Sequence, residues 1–397
     1  LSTAFDLVTE KLEQATDILD ELDVDLWLTF VRETSQVRDP VLPLILGFDL
    51  TWESMLMVCR GGERIAIAGH FDTDNIRSTG AYDTVIGYHQ SLREPFLEVL
   101  DRKAPQRIAV NYSQNDAAAD GLTHGLFGLL NEHLSNTSYA GRLTSAEDII
   151  SALRGRKSKG ELQRIQQAIV HTEQLFGELN RRLAPHQTER ELADWLHQRV
   201  EEMNLGLAWE PGYCPTFAAG PDSPIGHAMP GQWQTERGQL LQIDFGVEND
   251  GFVSDLQRTW YFTEDDENAV PEEVQHAFDA VRAAIEAGKA TLHPGAVGWE
   301  VDAVARETIV EWGYPEYQHA LGHQVGRSAH DGSTLLGPRW ERYRQTPFGI
   351  VEEGNVFTLE LGIYVPQRGF IGLEEDVLVT ANACEYLSTP QENLWLA

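Results

Sequence analysis

Lysine is scarce in this 397-residue chain: it occurs only as Lys11, Lys103, Lys157, Lys159 and Lys289. With 30 basic against 62 acidic residues, the formal net charge is −32. A nucleic-acid binder needs a basic footprint, so that class is excluded. The acids are spread along the chain, not gathered in a tail. Such a balance suits solvation in high salt, where self-repulsion is screened. A halophilic protein is the expectation, and an ordinary acidic cytosolic protein is the alternative. Cysteine is as sparse: Cys59, Cys214 and Cys384 lie far apart. They form no disulfide framework and no zinc spacing, which fits a reducing, cytoplasmic interior. Long apolar runs are missing as well. The longest, Val41–Phe48, contains Pro43 and is far too short for a membrane span. The first residues read as an acidic amphipathic helix (Phe5, Leu7, Val8, Leu12, Ala15, Ile18, Leu19), not as a signal peptide.

Two domains fit the length. The first alternates helix and strand signals. A helix pattern near 4–22 precedes strand-like runs at 25–31, 54–60, 64–69, 83–88 and 107–112, with helical patterns near 91–103, 121–132 and 145–154. This predicts an α/β domain and shows no catalytic cluster. The basic run Arg154-Gly-Arg-Lys-Ser-Lys159 follows. It is expected to be solvated, with an anionic ligand site as the alternative. Ser158 and Glu161 form a capping-box pair there, so the boundary is placed between 156 and 157. The second part opens with long helices, the second started by Thr188 and Glu191. Strands follow around 214–219 and 239–262, helices near 272–291 and 299–312, and strands at 355–365 and 369–380. That order predicts α+β.

The chemistry starts in LLQIDFGVENDGFVSDLQRT, residues 240–259. Glu248-Asn249-Asp250-Gly251 signals a turn between two apolar runs. With the turn centred between Asn249 and Asp250, Asp244 faces Asp255 directly across the hairpin. With Asp250-Gly251 as the loop, the pair is diagonal but still on one face. Opposed like charges destabilise a sheet, and burial worsens this. Either one carboxyl is protonated or a cation lies between them. More donors follow downstream: His319, His323 and His330 in HALGHQVGRSAHD, Glu360 in VFTLELG, and Glu374, Glu375 and Asp376 in GLEEDVLV. Each alone reads as a satisfied polar residue. Together they are an oxygen and nitrogen donor set suited to hard divalent ions, and the absence of cysteine disfavours a structural zinc site.

In order and spacing, DFGVENDGFVSDLQRT, GHQVG…HD, TLELG and LEEDVLV resemble the M24 metallopeptidases, among them Xaa-Pro aminopeptidases and prolidases. The resemblance implies a creatinase-like α/β domain with a mixed sheet over 1–156. It implies an α+β "pita-bread" catalytic domain over 157–397. It implies two divalent ions, manganese or cobalt, with zinc or iron as alternatives. Asp244 would chelate one ion, His323 and Glu360 the other, and Asp255 and Glu374 would bridge. The preference for Glu374 over Glu375 comes from the resemblance alone. His227, His319 and His330 match substrate-site histidines. His227, His330 and Glu360 would serve catalysis. A metal-bridged hydroxide would attack a peptide bond at the N-terminus of a peptide or in a dipeptide, with Xaa-Pro as the expected substrate. A homodimer is expected, with no nucleic-acid or membrane partner. The alternative is hydrolysis of a small non-peptide amide, as in ectoine-hydrolase-like or creatinase-like enzymes. Three positions depart from the family pattern. Leu361 stands where proline is usual, Gly372 where proline-specific members carry arginine, and Arg327 at a usually apolar place. Arg327 is the candidate to restore the missing positive charge at the substrate site.

Overall fold

The computed structural model describes residues 4–226, 228–265 and 269–397. The chain forms two compact units, Leu1–Arg154 and Gly155–Ala397.

The first unit contains α1 (Ala4–Glu21), β1 (Leu26–Val31), α2 (Leu42–Ile45), β2 (Ser54–Cys59), β3 (Arg64–Gly69), α3 (Thr73–Ser78) and β4 (Thr84–Tyr88). It continues with α4 (Arg93–Lys103), β5 (Ile108–Val110), α5 (His124–His133), β6 (Leu143–Ser145) and α6 (Glu147–Gly155). Its six strands lie in the order β4-β3-β2-β1-β5-β6. The sheet is mixed: β1 pairs antiparallel with β2 and parallel with β5. Every residue of β1 is buried, because both faces are covered. Trp27, Leu56 and Ala109 pack with α1 and α6 through Leu12, Ile18 and Ile149. Leu28, Met57 and Val110 pack with Phe96, Leu100 and Leu130 of α4 and α5.

The second unit opens with α7 (Lys159–Asn180) and α8 (Glu189–Glu202), each started by a complete capping box, Ser158/Glu161 and Thr188/Glu191. The strands β7 (Gly206–Leu207), β8 (Thr216–Ala219), β9 (Leu240–Phe245), β10 (Val247–Asn249), β11 (Phe252–Val253) and β12 (Leu256–Tyr261) follow. Then come α9 (Glu272–Thr291), α10 (Gly298–Glu311), β13 (Val356–Val365), β14 (Gly369–Val379), β15 (Cys384–Tyr386) and β16 (Trp395–Leu396). The main sheet runs β13-β14-β12-β9-β8, with all four of these pairs antiparallel. The odd-numbered face of β13 (Phe357, Leu359, Leu361, Ile363) packs with Phe278, Val281 and Ile285 of α9. Leu361 therefore belongs to the core. The even-numbered face, with Glu360, points the other way, since side chains alternate along a strand.

The basic run is not a solvated patch. Lys157 is buried and pairs with Asp331 at 3.2 Å, and Arg156 pairs with Glu352 at 2.8 Å. Nor do Arg156 and Lys157 wait for an anionic ligand, since the protein's own acids already pair with them. Among the described residues no helix is long and apolar enough to cross a membrane.

Candidate metal centre

The hairpin answers the question posed by the two aspartates. Its register opposes Asn249 to Phe252 and Asp244 to Gln257, so the loop is Asp250-Gly251. Both loop residues take positive φ, 51° and 78°, as a type I′ turn requires. Asp244 and Asp255 are therefore diagonal on one face. The ladder is interrupted between them at Gly246, where a Cβ would lie 1.9 Å from Ser254 O. Asp255 N–H donates to Asp376 Oδ2 at 3.1 Å. That bond holds Asp255 beside the sheet's acidic row.

The second hairpin settles which of its adjacent glutamates joins that row. Glu360 pairs directly with Glu374, and Glu374 pairs across its other edge with Gln257. One transverse row thus reads Glu360, Glu374, Gln257, Asp244. Glu375 lies on the opposite face. There it accepts from Arg258 Nη2 at 3.0 Å, Ser388 Oγ at 2.5 Å and the Gln391 N–H at 3.0 Å.

His323 reaches the row because residues 321–324 run alongside β13. Glu360 N–H donates to Leu321 O at 2.7 Å, and Thr358 N–H to His323 O at 2.8 Å. His323 Nε2 then stands 3.9 Å from Asp255 Oδ2, 3.7 Å from Glu360 Oε1 and 4.0 Å from Glu374 Oε1. These distances are too long for hydrogen bonds. They suit donors that share a cation, since atoms each about 2.1 Å from one ion stand roughly 3–4 Å apart. Asp255, His323 and Glu374 offer donor atoms all within 4.8 Å of one another.

Electrostatics points the same way. Burial, opposed by a hydrogen bond with Asp255, pushes the Asp244 carboxyl up to about 7. Burial and then the Asp244 charge push Glu360 up to about 8. Asp255 is raised well above the carboxylate range by burial and then by the charges of Asp244, Asp376 and Glu360, and Glu374 by burial and then by those of Asp255, Glu360, Asp244 and Asp376. Asp244 Oδ1 and Glu374 Oε2 are buried and have no hydrogen-bond partner among the described residues. Ionised together, these carboxylates repel; divalent cations would supply the missing partner. The residues present fit such ions.

The other predicted site residues are placed as follows. The His330 ring meets the His323 ring edge-on at 4.3 Å. His319 packs at 5.5 Å from the Tyr317 ring. The Arg327 guanidinium stands 4.5 Å above the Phe252 ring, near the hairpin tip. His227 falls outside the described residues. Two neighbours escaped the sequence reading. Gln257 donates to Glu360 Oε2 at 3.0 Å. Its position opposite Asp244 was the signal that could have found it. The hydroxyl of Tyr317 is raised by burial and by the charges of Glu360, Glu374 and Asp244; nothing in the sequence marks it.

Comparison with known proteins decides the lineage. Residues 163–381 match the model of metallopeptidase family M24. The chain belongs to that family. This M24 chain is 30% identical over 326 residues to the Xaa-Pro dipeptidase of Pyrococcus furiosus, covering 79% of the chain and 89% of that protein. It is 25% identical over 373 residues to the uncharacterized peptidase YqhT of Bacillus subtilis, covering 94% of the chain and 96% of YqhT. Among solved structures, the X-Pro aminopeptidase from Thermotoga maritima superposes with a TM-score of 0.71 at 24% identity. That match covers 97% of this chain and 99% of the other. The Xaa-Pro dipeptidase from Bacillus anthracis gives 0.74 at 21% identity, covering 98% and 100%. These likenesses establish the fold: a mixed α/β sheet domain and a curled antiparallel pita-bread domain. The M24 chain is a metallopeptidase, and its family implies divalent metal ions.

Proposed function

We propose that this M24 chain is a dinuclear exopeptidase acting on Xaa-Pro bonds, with manganese or cobalt as its ions. The carrying observation is the row Glu360, Glu374, Gln257, Asp244, with His323 Nε2 within 4.0 Å of three carboxylates. Asp244 and Asp255 would hold one ion. His323 and Glu360 would hold the other, with Asp255 and Glu374 shared. When bound, such a pair supplies Lewis acidity and makes water acidic enough to attack an amide near neutral pH. The protein's own residues do the rest. Glu360, whose side chain is 20% exposed and whose Oε2 accepts from Gln257, would take up the proton of the attacking water as its carboxylate shifts from the ion. His330, exposed beside His323, would donate to the carbonyl oxygen as charge develops there. The Xaa-Pro preference draws on the names of the relatives.

Metal content measured beside turnover of Ala-Pro, Ala-Ala and a cyclic amide tests the reading. Two ions per chain and metal-dependent cleavage of Ala-Pro are expected. Cleavage of the cyclic amide alone would instead favour a small-amide hydrolase. Gly372 lends that second reading its support, since no guanidinium is available there for a substrate carboxylate.

A further inference from the structure

Gln257 occupies the middle of the acidic row, between Asp244 and Glu374, yet its hydrogen bond goes to neither. Its Nε2 reaches Glu360 Oε2 at 3.0 Å. Its own Oε1 accepts from Gln242 Nε2 at 3.0 Å. Both glutamines are buried, 7% and 6% exposed, so water does not compete freely for these bonds. A third residue makes room for the pair. A Cβ at Gly372 would lie 2.6 Å from Gln257 Oε1 and 3.0 Å from Gln242 Cγ. The Phe370 ring closes the same space, 3.0 Å from that point. The side chain missing at 372 is therefore a condition for the glutamine relay.

Resting on the dinuclear reading above, we infer that Gln257, fixed by Gln242 over Gly372, is a positioning residue that orients the Glu360 carboxylate toward one of the two cations. The amide pins Oε2. That leaves Oε1 on the side of His323, 3.7 Å from Nε2. Without the amide the carboxylate can turn about its last bond, and the ligand is presented in the right direction only part of the time. Partners behind a ligand typically contribute about 10–100-fold in metal affinity. Among the described residues neither glutamine hydrogen-bonds to Asp244, so the ion Asp244 would hold should feel the change less.

The test is calorimetric titration of the metal-free protein with manganese chloride alone, with melting curves of the metal-free state as the check on folding. Gln257→Leu should weaken one of the two binding steps by about 10-fold or more and the other by less than about 3-fold. Gln242→Leu should weaken the same step by a smaller factor and add nothing when combined with Gln257→Leu. Gly372→Ala, which removes no polar group, should weaken that step too by displacing the pair. Two steps in Gln257→Leu identical to those of the parent would overturn the assignment. Equal weakening of both steps would overturn it as well, since that is general structural damage. If Gln257→Leu does not fold, Gln242→Leu and Gly372→Ala decide by the same criteria. A parent that binds no manganese at all overturns the dinuclear reading itself, and this assignment with it.

Discussion

Adjacent glutamates on β14 lie on opposite faces, and single substitutions should separate their effects. Glu375→Gln strands the buried Arg258 guanidinium. It should cost about 3–5 kcal/mol in urea unfolding while metal content is retained. Glu374→Gln should abolish metal-dependent turnover. In chelator it should melt no lower than the parent, because it removes one member of a self-repelling cluster. The choice between the two was not legible from residue types, since both acids sit in the same apolar strand. It depended on the turn Pro366-Gln367-Arg368, whose length sets which β14 residues share a face with Glu360. By contrast, the isolated acids at 244, 255 and 360 were legible, because apolar neighbours on both sides mark them as out of place. A separate prediction concerns pH. Asp39, buried in the first unit, is raised to about 6 by burial, against hydrogen bonds from the Val41 N–H and Asn111. Folding raises this pKa, so its stabilising contribution is complete below about pH 4 and is lost as pH climbs through 6. Between pH 4 and 6.5 the parent should lose about 2 kcal/mol relative to Asp39→Asn, read from denaturant midpoints.

Elements carry the site through interruptions as much as through regular pairing. The first hairpin breaks at Gly246, and that break turns Asp255 toward Asp376. Gly246→Ala should therefore lower both the melting temperature and manganese affinity, the second even where the first is partly recovered by osmolyte. The long elements were legible: β13, β14 and α9 lie within two residues of their expected bounds, because each shows a full period of 2.0 or 3.6. The strands β7 and β16, of two residues each, carry no period and could not be read. No element was expected at residues 321–324, yet they line β13 through backbone bonds that leave no mark on composition. The basic run failed as a solvated patch for a related reason: its partners Asp331 and Glu352 are 174 and 196 residues away in sequence. Lys157→Met should leave Asp331 buried without its ammonium and cost about 3–5 kcal/mol, measured by urea unfolding.

At the scale of the whole chain, metal and salt should act as two separate stabilisers. Ions that bind only the folded form raise its stability by mass action, by about 2.7 kcal/mol at 100 times the dissociation constant. Manganese should raise the melting temperature and a chelator should reverse it. A chain with net charge −32 repels itself. Its melting temperature should therefore also rise between 0.1 and 1 M potassium chloride, by roughly equal amounts with and without manganese. A flat salt response would favour an ordinary acidic protein. The two-domain plan was legible because the first half alternates strands with helices and the second gathers its strands into hairpins. The strand order was not, since nothing in β14 announces that it lies between β13 and β12. That placement bears on biosynthesis. A ribosome releases Asp244, His323 and Glu360 before it releases Glu374, and β14 must still slot between two strands made earlier. Until then the row Glu360, Glu374, Gln257, Asp244 is incomplete, and its carboxylates are drawn together only once β14 has been made and inserted.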